Sequence, residues 1–360
     1  MKPALLVEVL RDPQCASALA PRAWELLLSQ ARAAGLHGAL PFVLDDAGVQ
    51  APPAPRRHLD WLRTEALRHR DSMRNEVRLI AQALGGSAPL LLLKGAAYLM
   101  AGLSTARGRL FGDVDILVPK DSLSAVERTL LLHGWVTTHH DAYDQRYYRE
   151  WMHELPPLEH MQRGTTIDVH HAILPETASL RPDPARLRAA AVPIAWPGTI
   201  PGQHPLFVLA PQDMVLHSAL HLFWDGEFDH GLRDLFDIHR LLQAFGATPG
   251  FREGLAGRAR ELGLERPLFY ALRYCGRLFG TPAPALAAGG PNRLQLLLMD
   301  FLFERALQPD HASCAGRGTA AARFALYVRG NWLRMPPLLL ARHLFHKAVI
   351  SGRAPAGQDE

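Results

Sequence analysis

PLLLLKGAAYLMAGLSTARGRLFGDVDILVP, residues 89–119, holds the pattern that decides the fold. An apolar run at 90–93 ends in Lys94-Gly95, a helical spacer follows, and Arg107 and Arg109 lead into Asp113-Val114-Asp115-Ile116-Leu117-Val118. The start of that second run alternates polar and apolar, the period of a strand. Residues two apart on a strand point to one side, so Asp113 and Asp115 share a face. Neighbouring carboxylates raise one another's pKa unless a cation lies between them. A hard divalent ion with oxygen ligands, Mg²⁺ above all, relieves that cost. The 90–93 run reads as a short buried strand, Lys94-Gly95 as the turn off it, and 96–103 as a helix.

Downstream, Pro119-Lys120-Asp121-Ser122 reads as a turn and helix cap. Leu123, Val126, Leu130 and Leu131 give the buried face of the next helix, Gly134 its stop, and 135–138 a strand. Residues 153–161 and 166–170 pair as a hairpin around 162–165. Thr166, Asp168 and His170 then share one side, which makes Asp168 a third acid on a neighbouring strand. Upstream, Pro21 opens a helix that Gly35 ends, APPAP at 51–55 breaks the chain, and 58–84 carries a long amphipathic stripe stopped by Gly85-Gly86. Residues 176–205 are Pro-rich and suit a connector. Helices follow over 211–224 and 232–245, with two or three more in 251–307 and an Arg-rich amphipathic tail at 320–350. The expected organisation is an α+β fold: a helical segment (1–86), a catalytic core with a small mixed sheet (87–175), the connector (176–205) and a helical C-terminal domain (206–360).

Composition sets the class. The chain has 360 residues, 48% of them hydrophobic, with a net charge of +4, which describes a globular protein with more than one core rather than a disordered one. The basic excess is mostly arginine and is compatible with a nucleotide or nucleic-acid partner without requiring one. Cys15, Cys275 and Cys314 form no framework, so a reducing cytoplasm is the expected compartment. The first residues carry Asp and Pro too early for a signal peptide, and no apolar run has the length of a membrane span.

Asp113, Asp115 and Asp168 are the candidate catalytic metal ligands. One ion would hold a triphosphate and a second would activate an attacking hydroxyl; solvated loop carboxylates are the bland alternative. Lys94 and Gly95 offer a charge and a backbone that phosphate can approach, against an ordinary strand-to-helix turn. Arg109 and Arg107 are phosphate contacts or neutralise Asp113. His170 can orient a carboxylate, move a proton or serve structure alone. His217 and His221, four apart on a helix, lack a third zinc ligand, and His221 with Trp224 is expected near the cleft mouth. Asp234 and Asp237 with Arg233 read as an ion-pair network. Arg323, Arg329, Arg334, Arg342 and Lys347, interleaved with Tyr327 and Trp332, face RNA, an acidic polymer or solvent.

Leu-Lys94-Gly95, Arg109-Leu-Phe-Gly-Asp113-Val-Asp115-Ile-Leu-Val, Leu-His-Gly-Trp and Ile-Asp168-Val-His170 together resemble the DNA polymerase beta-like nucleotidyltransferase superfamily. Within it, the similarity is greatest to an uncharacterised bacterial nucleotidyltransferase group, and it covers residues 90–174 well. It departs from the superfamily at the phosphate turn, where Lys94-Gly95-Ala96 stands for the usual Gly-Ser or Gly-Gly. The resemblance implies a transferase using an NTP and two Mg²⁺ ions, with Asp113 and Asp115 binding both metals and Asp168 completing the catalytic one. It leaves the acceptor open among small molecule, sugar, peptide and RNA. A toxin-like enzyme acting on tRNA or protein and a non-catalytic nucleotide-binding module also stay open.

Overall fold

The computed structural model describes residues 3–85, 88–138, 141–195, 205–282 and 290–336. The N-terminal part is helical: α1 (Leu5–Arg11), α2 (Pro21–Ala33), α3 (Leu40–Asp46) and the 32-residue α4 (Pro53–Leu84). α4 begins five residues before the expected stripe, inside the APPAP breaker. Proline at the first position of a helix costs nothing, because its missing N–H would have had no partner there.

β1 (Leu90–Leu92) leads straight into α5 (Lys94–Met100), then β2 (Asp113–Leu117), α6 (Leu123–Leu132), β3 (Trp135–Thr137), α7 (Ala142–Trp151), β4 (Leu158–His160) and β5 (Thr166–His170). The expected helix over 96–103 is therefore shifted, starting at Lys94 and stopping where Gly102 turns left-handed. Ser122 makes no side-chain cap, and Leu131 is 46% exposed while Val126 and Leu130 carry the buried face. The Pro-rich stretch is not a bare connector. It contains α8 (Pro184–Ala189) and β6 (Val192–Ile194), and β7 (Leu206–Val208) follows it into the same sheet.

The sheet has seven strands in the order β3-β4-β5-β2-β1-β7-β6. β2 runs parallel to β5 and antiparallel to β1, and β7 lies parallel to β1. The fully apolar β1 sits in mid-sheet, as a strand buried on both faces must. The C-terminal helices α9 (Pro211–Trp224), α10 (Gly231–Gly246), α11 (Phe251–Leu262), α12 (Glu265–Phe279), α13 (Arg293–Ala306) and α14 (Thr319–Arg334) pack about α9. α9 is buried along nearly its whole length, with Leu216, Leu220 and Phe223 sealed. Tyr98 on α5 hydrogen-bonds Ser218 on α9 at 2.5 Å, tying these helices to the sheet. No helix among the described residues is long and apolar enough to cross a membrane.

Candidate active site

Strand pairing brings the distant acids together. In the parallel β2–β5 ladder Asp115 stands opposite Asp168, Asp113 opposite Thr166 and Leu117 opposite His170. Adjacent strands lie about 4.8 Å apart, so the Asp115 and Asp168 carboxyls are side by side. β1 supplies a cation. The Leu93 N–H donates to the Asp115 carbonyl at 3.0 Å, and the next residue, Lys94, donates from Nζ to Asp115 Oδ1 at 2.8 Å. Lys94 has φ 44°, the one described non-glycine residue in the left-handed region, a conformation costing about 1–3 kcal/mol that clusters at functional sites.

His170, two residues beyond Asp168, places Nε2 3.0 Å from Asp115 Oδ1 and Nδ1 3.0 Å from Glu154 Oε2. Burial opposes its charge, yet Glu154 and Asp115 prevail and push its pKa up to about 10. Both ring nitrogens are then donors. The His153 ring stacks on it at 5.3 Å, and burial drives His153 down to about 3, so that ring stays neutral.

The three aspartates differ in electrostatics. Burial works against Asp115, but Lys94 and His170 outweigh it and hold its carboxyl well below the usual range. Burial and then the Asp115 charge push Asp168 up to about 7, and the same two causes raise Asp113. Asp168 Oδ1 is buried and has no hydrogen-bond partner among the described residues. An orphaned buried carboxylate oxygen is costly unless something outside the protein satisfies it. The carboxylates of Asp115 and Asp168 lie within 4.8 Å of one another and of the His170 ring; the charged His170 orients them and does not ligate, and the two carboxylates are oxygen donors that suit a hard divalent ion. The residues therefore fit Mg²⁺. Asp113 faces the same cavity one strand period away, outside that tightest group.

The cavity, about 340 Å³, has its opposite wall on the C-terminal helices. Asp237 on α10 accepts from Arg109 Nε at 2.8 Å, and Asp234 pairs with Arg233 at 2.9 Å. His221 on α9 sets Nδ1 2.5 Å from Oδ2 of Asp225, just past the helix end, and Arg334 from the end of α14 stands 3.5 Å from Asp225. Burial disfavours the Asp225 charge, but His221 and Arg334 keep its carboxyl far below the ordinary range.

Asp113, Asp115, Asp168, Lys94, Arg109, His170 and His221 thus meet around one space. Two expected contributors do not line it. Arg107 turns away to Asp46 on α3, 2.8 Å off, with its guanidinium over the Phe42 ring. Gly95 is buried; a Cβ there would meet Arg109 Nη1 and Phe111 Cδ1, each at 2.5 Å, so its smallness lets Arg109 pack. The Arg-rich tail also turns inward: Arg323 pairs with Asp310, Arg329 donates to the Phe223 carbonyl at 2.8 Å, and Arg334 reaches the cavity. Arg342 and Lys347 lie outside the described residues. Glu154, Asp225 and Tyr98 line the cavity without having been expected there, and Arg334, expected to face RNA, an acidic polymer or solvent, lines it too. Only Asp225 left a trace in sequence, four residues after His221 on one helix face; Glu154 reaches His170 through an isolated bridge that no periodicity announces.

Residues 20–280 match the model of a family described as uncharacterised nucleotidyltransferase. Among solved structures, the chain is similar to an antigenic nucleotidyltransferase-like protein from Paracoccidioides brasiliensis, at 15% identity over 58% of this chain and 97% of that one, with a TM-score of 0.29. No curated protein matches.

Proposed function

The chain belongs to this uncharacterised nucleotidyltransferase family, and from that premise we propose that it moves a nucleoside monophosphate from an NTP to an acceptor, with Mg²⁺ and release of pyrophosphate. The observation that carries the reading is the β2–β5 register, which sets Asp115 against Asp168 with one Asp168 oxygen buried and unsatisfied among the described residues. Asp113, Asp115 and Asp168 would hold two Mg²⁺ ions, which when bound neutralise triphosphate charge and lower the pKa of a coordinated hydroxyl.

The chain's own groups have separable tasks. Lys94 and His170 hold the Asp115 carboxylate ionised and aimed. Glu154 keeps His170 charged and fixes its ring. Lys94, and Arg109 braced by Asp237, line the same cavity as the acids and are the candidates for phosphate contact. Gly95 contributes by letting Arg109 sit where it does. The core (87–175) and the helices beyond 206 then work as two walls of one site.

The test is incubation with α-labelled NTPs, Mg²⁺ and cell extract. Wild type passes label to one fraction, and Asp113→Ala, folded by circular dichroism, passes none. Equal transfer by the variant contradicts the proposal.

A further inference from the structure

The wall opposite the aspartates holds a pair of groups that nucleotide binding leaves unused. His221 Nδ1 lies 2.5 Å from Asp225 Oδ2, and Arg334 flanks the same carboxylate. The order Arg334–Asp225–His221 runs from α14 across the end of α9 into the cavity. A carboxylate on one imidazole nitrogen fixes the tautomer and leaves the other nitrogen free to accept a proton. His221 Nε2 makes no hydrogen bond among the described residues, and its side chain is 37% exposed at the cavity. His217 from its own helix and Asp234 from α10 are the other titratable groups close to it.

The charge of this wall narrows the acceptor. Asp225, Glu227, Asp234 and Asp237 line it, and its arginines each already face a carboxylate: Arg109 with Asp237, Arg233 with Asp234, Arg334 with Asp225. An acceptor attacking through a phosphate or carboxylate oxygen brings negative charge to carboxylates and has no proton to give. An acceptor attacking through a hydroxyl is neutral, hydrogen-bonds readily to such a wall and needs a base.

We propose that these helices form the acceptor subsite and that His221, oriented by Asp225, is the general base for the acceptor hydroxyl. This rests on the nucleotidyl-transfer reading above. The acceptor O–H proton passes to His221 Nε2 and the oxygen lone pair attacks the α-phosphorus. The bond from that phosphorus to the bridging oxygen breaks, and pyrophosphate leaves with the electron pair. The imidazolium later returns its proton to solvent.

The test uses full-length protein, α-labelled NTPs, Mg²⁺ and cell extract, and reads the linkage of the labelled product. The expected product is a phosphodiester, stable to hydroxylamine and yielding no diphosphate on mild cleavage. A hydroxylamine-labile acyl linkage or a diphosphate overturns the proposal. With the labelled fraction as acceptor, His221→Gln lowers kcat by about 10² to 10⁴ and leaves the KM for Mg–NTP within about twofold. His221→Ala recovers part of the rate on addition of imidazole, and Asp225→Asn lowers kcat with the KM for Mg–NTP within about twofold. A wild-type rate in His221→Gln, or no rescue of His221→Ala by imidazole, refutes the base. Asp113→Ala separates the two readings: if it transfers normally, nucleotidyl transfer at this site fails; if it is dead while His221→Gln is normal, only the base assignment fails.

Discussion

Asp115 is the most heavily committed side chain in the site, 2% exposed and held by both Lys94 and His170. Removing one partner of a buried ion pair leaves the others uncompensated, at about 3–5 kcal/mol. Asp168 has the opposite character, since burial and its neighbour disfavour its charge. In metal-free buffer, Asp115→Asn should therefore lower the urea midpoint markedly, while Asp168→Asn holds or raises it, though both abolish transfer. The reverse order of midpoints rules out this electrostatic account. Gly95→Ala makes a third case: its Cβ has no room against Arg109 and Phe111, so a loss of about 1–3 kcal/mol is expected from overpacking. An unchanged midpoint would show that the ring and guanidinium move aside freely. The three acids were legible in sequence because a strand's period of two is local, and so was the need for a cation. Which cation was not, since that depends on where β1 and β5 lie beside β2.

At the scale of elements, the cavity depends on α14 crossing the loop between α9 and α10. A Cβ at Gly330 would stand 2.5 Å from the Asp225 carbonyl and 2.6 Å from Gly226 Cα. The crossing is backbone on backbone, and it sets Arg334 beside Asp225. Gly330→Ala should push α14 off the loop, costing about 1–3 kcal/mol and weakening transfer through a displaced Asp225. Leu326→Ala, at a fully buried position one turn earlier, should cost about 2–5 kcal/mol without that clash. If Gly330→Ala leaves both midpoint and rate as in wild type, the crossing does not position the wall. Sequence periodicity recovered most helices and the central strands, and failed at 176–205. β6 and β7 are three residues each, too short to show a period, and the prolines beside them pointed to a loop. The arginines of α14 failed for a related reason: a helix pattern says which residues share a face, not what covers it.

For the molecule as a whole, burial of neutral histidines sets an acid limit. His239, 6% exposed and bonded to Thr281, has its pKa driven by burial from 6.5 down to about 4. Between those values the unfolded chain binds a proton that the folded chain refuses, so stability falls as pH drops through about 6.5 and the His239 contribution levels off near 4. His37, His153, His171, His217 and His230 are shifted the same way. His239→Gln should flatten the slope of unfolding free energy against pH in that window by up to about 1.4 kcal/mol per unit. Parallel slopes for the two proteins would exclude His239 as a contributor.

Asp115 and Asp168, adjacent across two paired strands, would receive a divalent ion together with Asp113. Mn²⁺ binding followed by electron paramagnetic resonance, with a non-hydrolysable NTP analogue present, tests this most directly. Two ions per chain in wild type, and loss of that binding in Asp168→Asn at an unchanged fold, is the predicted result. Mn²⁺ bound equally by wild type and Asp168→Asn would contradict it.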